Sequence, residues 1–454
     1  MFQVPNQTKP ANGKMGLGDT ISMAAGFCVG AGVITLTGIA IGLTGRSVVL
    51  SYVLTALTFL VAVLPALIMC IVYPRRSGYY VYSKELLHPR VAGIYQCSYF
   101  LGRLTISMFG ISFAEYLAYL IPGLDQKMCA ILVLTLFYII NLMGTKAAAK
   151  VQTVLFYILV AGMVCYIGVG MTKVDLGAYF TNAGAFENDA PFFVNGFSGV
   201  WQAASLLVFA VGGCGVLVDF GDQIDNPSKN IPRVAIGVTL GVCLAYALLS
   251  MVSAGLLPYS EVAYKPLTNA AAAVFGKGSF MFAVFIIGTA LMALVTTLNS
   301  SFQWYSNAMM RSCQDGWFPK TMAKTNRFGA PYIMMTVWYL FGLLPVLLDM
   351  PLNDISRMAV AMTIITWAIP TFALVNMPKR MPEAWNASRF ARMPRWSLWA
   401  ICTLSFVIYV TQAISNLSNV NTTFKIVIVV YMVAAVAYCL LRKDYPGKEL
   451  VQKK

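Results

Sequence analysis

Two glycine-rich stretches hold most of the chemistry this sequence offers. Gly26-Phe27-Cys28-Val29-Gly30-Ala31-Gly32 lies inside the first long apolar run, and Val211-Gly212-Gly213-Cys214-Gly215 inside the sixth. Glycine destabilises a helix interior by about 1 kcal/mol relative to alanine, so each stretch marks a place where a helix can open. An opened helix bares N–H groups on one half and carbonyls on the other, each at the dipole end that suits its charge. The expected chemistry is recognition of a small zwitterion. Its carboxylate would sit on the N–H groups of Ala31 and Gly32, its ammonium on carbonyls near Cys28, Phe209 and Gly212. Small residues also serve as close-packing faces in membrane helices. The matching positions of the two stretches favour opened helices, the mark of an inverted-repeat transporter.

Ionisable residues inside the apolar runs are few. Arg103 falls near the middle of the third run, a depth at which a charge is a functional-site hypothesis by default. It has two readings: an ion pair with Asp219 or Asp222, or contact with a substrate carboxylate. Glu115, further along the same run, is either a proton carrier or a residue of a solvated vestibule. Thr296 and Thr297 offer hydroxyls that a sodium ion would accept, although membrane threonines more often bond their own helix. Asp19 fits a helix N-terminus as a cap, and His88, the single histidine, is expected in a solvated loop. No HExxH, GxxxxGK[ST], CxxC or GxSxG occurs, so no zinc, nucleotide or acyl-transfer site is visible. Neither catalysis nor a cofactor is expected.

The elements that must position these residues follow from composition. Of 454 residues, 59% are hydrophobic and 11% charged, against about 25% charged in a soluble chain. Apolar residues gather in twelve runs, 17–43, 47–73, 91–121, 128–144, 150–172, 194–223, 234–257, 278–309, 331–349, 354–377, 396–416 and 422–441. A bilayer-crossing helix needs about 20 such residues. With the N-terminus inside, 24 of the 32 Lys and Arg residues fall in inner segments and six in outer ones, the bias expected of cytoplasmic loops. The net charge of +15 is therefore a topology signal, and no nucleic-acid partner is expected. Both termini are expected in the cytoplasm. The ten cysteines lie in or beside the runs and suggest no disulfide framework.

Several ordered motifs resemble the amino acid–polyamine–organocation superfamily. Gly30-Ala31-Gly32-Val33 is similar to that family's first-span motif, with Ala31 in place of a common serine. Pro74 to Tyr82 resembles the segment after its second span, and Asn141-Leu142-Met143-Gly144 with Val151-Gln152 the start of its fifth. Phe209-Ala210-Val211-Gly212-Gly213, followed by Asn226-Pro227 and Ile231-Pro232, resembles its sixth-span signature. Asp315-Gly316-Trp317-Phe318-Pro319, with Pro331, resembles the loop after its eighth. The resemblance implies that Phe209 is an aromatic gate over the substrate and that Ile106 lies beside the pocket. Cys214 and Gly215 stand where bulkier or polar residues are common, which implies a wider pocket and a substrate larger than alanine. Leu159 occupies the position of a lysine that replaces sodium in some members.

The resemblance implies an all-α polytopic membrane protein of the LeuT-like 5+5 inverted-repeat fold, with twelve transmembrane helices and helices 1 and 6 broken. Residues 1–16 would be a cytoplasmic segment, 17–172 and 194–377 the two five-helix repeats, 396–441 helices 11 and 12, and 442–454 a cytoplasmic tail. The expected function is secondary active transport of amino acids by exchange or proton symport. The expected setting is the cytoplasmic membrane of a prokaryote, with the chain a monomer or homodimer. A carrier of polyamines or organic amines is the alternative, and would need acidic residues in the pocket.

Overall fold

A computed structural model describes residues 14–143, 146–181, 186 and 189–452, without the side chains of 146–156, 307, 451 and 452. The expected N-terminal segment up to residue 13, and Gly144, Val151 and Gln152 of the fifth-span motif, fall outside the description or have no described side chain. Among the described residues there are helices and two isolated bridges, Met15 to Ile224 and Arg76 to Phe220, but no strands.

The long helices are α1 (Leu17–Cys28), α2 (Ala31–Thr44), α3 (Val48–Val72), α4 (Pro89–Leu101), α5 (Thr105–Leu120), α6 (Gln126–Leu142), α7 (Lys146–Met171), α8 (Gly196–Val211), α9 (Pro227–Gly255), α10 (Met292–Asp315), α11 (Tyr332–Leu347), α12 (Leu352–Ala368), α13 (Arg395–Ser418) and α14 (Thr422–Leu441). Among the described residues, seven segments are long and apolar enough to cross a bilayer, one of them the joined pair α2–α3, and three shorter apolar helices accompany them. Large apolar side chains stay exposed along their outer surfaces, as on α14 at Val427, Val430 and Val433. Lipid is the solvent such surfaces require. This is an all-α polytopic membrane protein.

Local chemistry explains where helices begin and end. Asp125 Oδ1 accepts from the Met128 N–H at 3.1 Å and caps α6, and Asn421 Oδ1 does the same for α14 through Thr423. Pro227 opens α9 at the position where its missing N–H costs nothing. Gly316, at φ 96°, ends α10 in the left-handed region that glycine tolerates. Two corrections arise here. Asp19 sits in the first turn of α1, but the cap position is Gly16 and no side chain caps it. The third apolar run is two helices joined by a tighter turn at Gly102–Leu104. Gly102 lies close against α12, with space for a Cβ only 3.2 Å from Thr363 Oγ1; hydropathy carries no trace of such a contact.

The core forms where α3 lies on α8 and α9, α2 on α8, and α12 on α13. Two of the sequence motifs meet on one face of the bundle. Tyr80 Oη and Lys84 Nζ both reach Asp315 Oδ2 at 2.6 Å, tying the segment after α3 to the end of α10. That face also carries Met15, paired with Gln223 and Asp225, and is called the first face below. The opposite face carries residues 44–47, 189–195, 258–267 and 348–353, joined by bonds such as Tyr259 Oη to the Gly42 carbonyl.

Candidate functional site

α1 stops at Cys28 and α2 starts at Ala31, with Val29 and Gly30 extended between them. α8 stops at Val211 and continues as a tight 3-10 stretch, Gly212–Asp219. The two interruptions touch. A Cβ on Gly213 would fall 2.5 Å from the Cys28 nitrogen, and one on Gly30 would fall 2.5 Å from Thr297 Oγ1. Gly30 has φ −166°, a conformation open to any residue, so close approach is what its missing side chain serves.

A cavity of about 440 Å³ opens beside these interruptions. Its floor is backbone and small side chains from Cys28 to Gly32 and at Gly212, Gly213 and Gly215. Its walls are aromatic: Phe27, Tyr99, Phe209, Trp304, Tyr305 and Trp367. Ser22 and Gly26 on α1 are exposed at its rim, so the cavity runs from the interruptions toward the first face. Away from that face it ends at Phe209, whose ring centroid lies 6.3 Å from that of Phe109. There α2 and α8 close up, with space for a Gly32 Cβ only 2.9 Å from Ala210 Cα.

Arg103 reaches this cavity from the turn between α4 and α5 and is 3% exposed. Its guanidinium lies 4.1 Å from the ring centroid of Tyr99 and 4.6 Å from that of Tyr305. Nε donates to the Tyr99 carbonyl at 3.2 Å and Nη2 to Thr363 Oγ1 at 3.4 Å. Among the described residues it forms no ion pair; the three present are Lys84–Asp315, Lys127–Asp349 and Lys448–Asp444. Aromatic faces hold its charge, and Asp219, one of the two acids the sequence suggested, acts on it through its charge without forming an ion pair. Asp219 lines the same cavity, whereas Asp222 is exposed and outside it.

Of the residues singled out from sequence, Cys28, Gly30, Ala31, Gly32, Phe209, Gly212, Gly215, Arg103, Asp219, Thr296 and Thr297 all line the cavity. Ile106, Cys214 and Glu115 do not. Ile106 is fully buried against Gly342, where it fills the space a side chain would take. Cys214 turns its sulfur toward that of Cys28, 3.9 Å away. Its small size therefore widens nothing, and the space beside Gly215 is bounded by Tyr79 Oη and the Trp367 ring at 3.3 and 3.6 Å.

Two backbone groups expected to face a ligand already have partners. The Ala31 N–H donates to Thr297 Oγ1 at 3.0 Å, and the Cys28 carbonyl accepts from Tyr246 Oη at 2.8 Å. Thr297 Oγ1 also donates to the Ala293 carbonyl at 2.8 Å, and Thr296 Oγ1 bonds carbonyls of its own helix. These hydroxyls brace helices. Sequence reasoning missed most of the aromatic wall. Tyr99, the adjacent Trp304 and Tyr305, and Trp367 sit on three different helices, and no local spacing connects those helices.

The amino acid permease family profile matches residues 15–443. The chain is 21% identical to the branched-chain amino acid permease BcaP of Bacillus subtilis, over 84% of each chain. It is 24% identical to the BcaP of Lactococcus lactis, over 81% of this chain and 83% of that one. It is 26% identical to the aromatic amino acid permease FywP of Lactococcus lactis, over 74% and 76%. With the profile spanning nearly every helix around this cavity, the chain belongs to the amino acid permease family of the amino acid–polyamine–organocation superfamily, whose members are transporters and not enzymes.

Proposed function

We propose that the protein carries bulky neutral amino acids across the cytoplasmic membrane by alternating access, on a twelve-helix LeuT-like inverted repeat. The observation that carries this reading is the 440 Å³ cavity at the two helix interruptions, walled by aromatic rings. The substrate carboxylate takes the N–H of Gly32 at the start of α2, beside the Ala31 N–H that Thr297 holds. Its ammonium takes carbonyls at the ends of α1 and α8, and its side chain lies among Phe27, Trp304, Tyr305 and Trp367. Relatives named for branched-chain and aromatic amino acids support a large apolar side chain. The basic residues of the first face support its being cytoplasmic, and the cavity's direction then corresponds to an inward-facing state. Coupling is by exchange or by a proton, with Asp219 the acid in the cavity.

A polyamine or organic amine remains the second reading, since Asp219 would meet a cation; Arg103 in the same cavity opposes it. Counterflow in proteoliposomes with labelled amino acids, with and without a pH gradient, tests the proposal. Leucine and phenylalanine should exchange well and alanine poorly. In detergent, these zwitterions should raise the melting temperature while their decarboxylated amines do not. Preference for glycine or alanine, or stabilisation by the amines alone, would overturn the assignment.

A further inference from the structure

A second pocket, of about 580 Å³, lies on the opposite face and shares no lining residue with the central cavity. The end of α2, the start of α8, Tyr264, the start of α12 and Asn419 bound it. Arg357 points into it. This arginine is 2% exposed, its Nε donates to Asn353 Oδ1 at 3.0 Å, and its buried Nη1 has no hydrogen-bond partner. None of the three ion pairs among the described residues includes it. Asp354, one turn away in the first turn of α12, acts on Arg357 through its charge but forms no ion pair with it.

A buried guanidinium without an ion-paired carboxylate is costly, and three asparagines line the same pocket. Asn353 spends its oxygen on Arg357 Nε, so its Nδ2 remains as a donor beside the guanidinium. Asn195 spends its Nδ2 on the Leu43 carbonyl at 2.8 Å and Asn419 spends its own on Gln202 Oε1 at 3.1 Å. Their oxygens remain as acceptors. The pocket thus offers both donors and acceptors.

We propose that this pocket is a second substrate station, in which Arg357 and Asn353 Nδ2 hold the carboxylate of an amino acid and the oxygens of Asn195 and Asn419 receive its ammonium. The closed contact of α2 with α8, backed by Phe209, separates it from the central cavity. The choice of an amino acid rests on the reading of that cavity; the carboxylate site itself does not.

Equilibrium binding of tritiated leucine to the full-length protein in detergent tests the proposal. Wild type should bind two per chain and Arg357→Gln one, with Arg357→Lys recovering part of the second. In proteoliposomes, Arg357→Gln should raise the half-saturation for entry from the opposite face about tenfold and leave that for the first face unchanged. Where Arg357→Gln fails to fold, Asn353→Ala gives the same readout. If wild type binds no leucine, the amino-acid reading fails alone, and acetate decides the site. Stabilisation by acetate over chloride at equal ionic strength, lost in the Arg357 variant, upholds a carboxylate station. One leucine per chain in both proteins, equal shifts at both faces, or no acetate effect would overturn it.

Discussion

Arg103 combines a buried position, a guanidinium packed on two tyrosine rings, and an opening onto the central cavity. The rings stabilise its charge by about 1–2 kcal/mol each when desolvated, which lets it stay buried without a carboxylate partner. A substrate carboxylate or side-chain oxygen entering the cavity would therefore find a cation that is in no ion pair, with Asp219 the acid sharing its cavity. Arg103→Ala is expected to weaken amino acid binding about tenfold. Arg103→Lys should recover only part, because an ammonium lacks the planar fork and stacks poorly. Equilibrium binding with both variants checks this, and unchanged affinity in each would leave Arg103 a purely structural residue. Thr297 shows the opposite outcome at this scale. A hydroxyl that looked available for a cation is spent on the Ala31 N–H and on its own helix.

At the scale of elements, the closed contact on the opposite face depends on where α2 lacks side chains. A Cβ on Gly38 would run into the backbone carbonyl of Lys265, and the Gly38 carbonyl accepts from the Tyr264 N–H at 2.9 Å. Gly38→Ala should therefore cost about 1–3 kcal/mol through overpacking and lower the melting temperature, with transport impaired. Gly237, inside α9 with open space around it, is the control: Gly237→Ala should be neutral or stabilise by up to about 1 kcal/mol. A second element-level device is His88, which is half-buried and not a freely solvated loop residue. Its Nδ1 accepts from the Arg90 N–H at 3.1 Å and caps α4. Burial, then the positive charges of Arg90 and Arg380, hold its pKa below the ordinary 6.5. A depressed pKa means the neutral ring is favoured in the folded state, so its contribution is present above the unfolded value and lost as pH falls through the folded one. Stability should drop on acidification below about pH 6.5, and His88→Asn, which caps at every pH, should flatten that slope. Thermal melts across this range decide the matter.

At the scale of the whole molecule, lipid and protein compete for the same apolar surface. α14 keeps Val427, Val430 and Val433 exposed, while α3, α8 and α9 bury most of theirs. The last helix is therefore peripheral and its outer face is solvated by acyl chains. Val430→Asp is expected to cost about 3 kcal/mol of membrane insertion and to reduce the yield of folded protein, whereas Val430→Leu should be silent. Equal yields of the two variants would mean that this face is covered by something other than lipid.

The sequence alone determined the solvent, the helical class and the family. These depend on composition, on runs of apolar residues and on short motifs whose meaning is local. Gly26 to Gly32 and Gly212 to Gly215 also marked the neighbourhood of the cavity, since the cost of glycine in a helix is paid at the residue itself. Tertiary structure decided everything that depends on direction. It turned Cys214 toward Cys28 and Ile106 toward Gly342, away from the cavity, and gave Thr297 to Ala31. It also gathered Tyr99, Trp304 and Tyr305 around Arg103 and left Arg357 Nη1 without a hydrogen-bond partner beside a pocket of its own. Hydropathy records whether a side chain avoids water, whereas a binding site depends on which neighbours it meets, and those come from helices far apart along the chain.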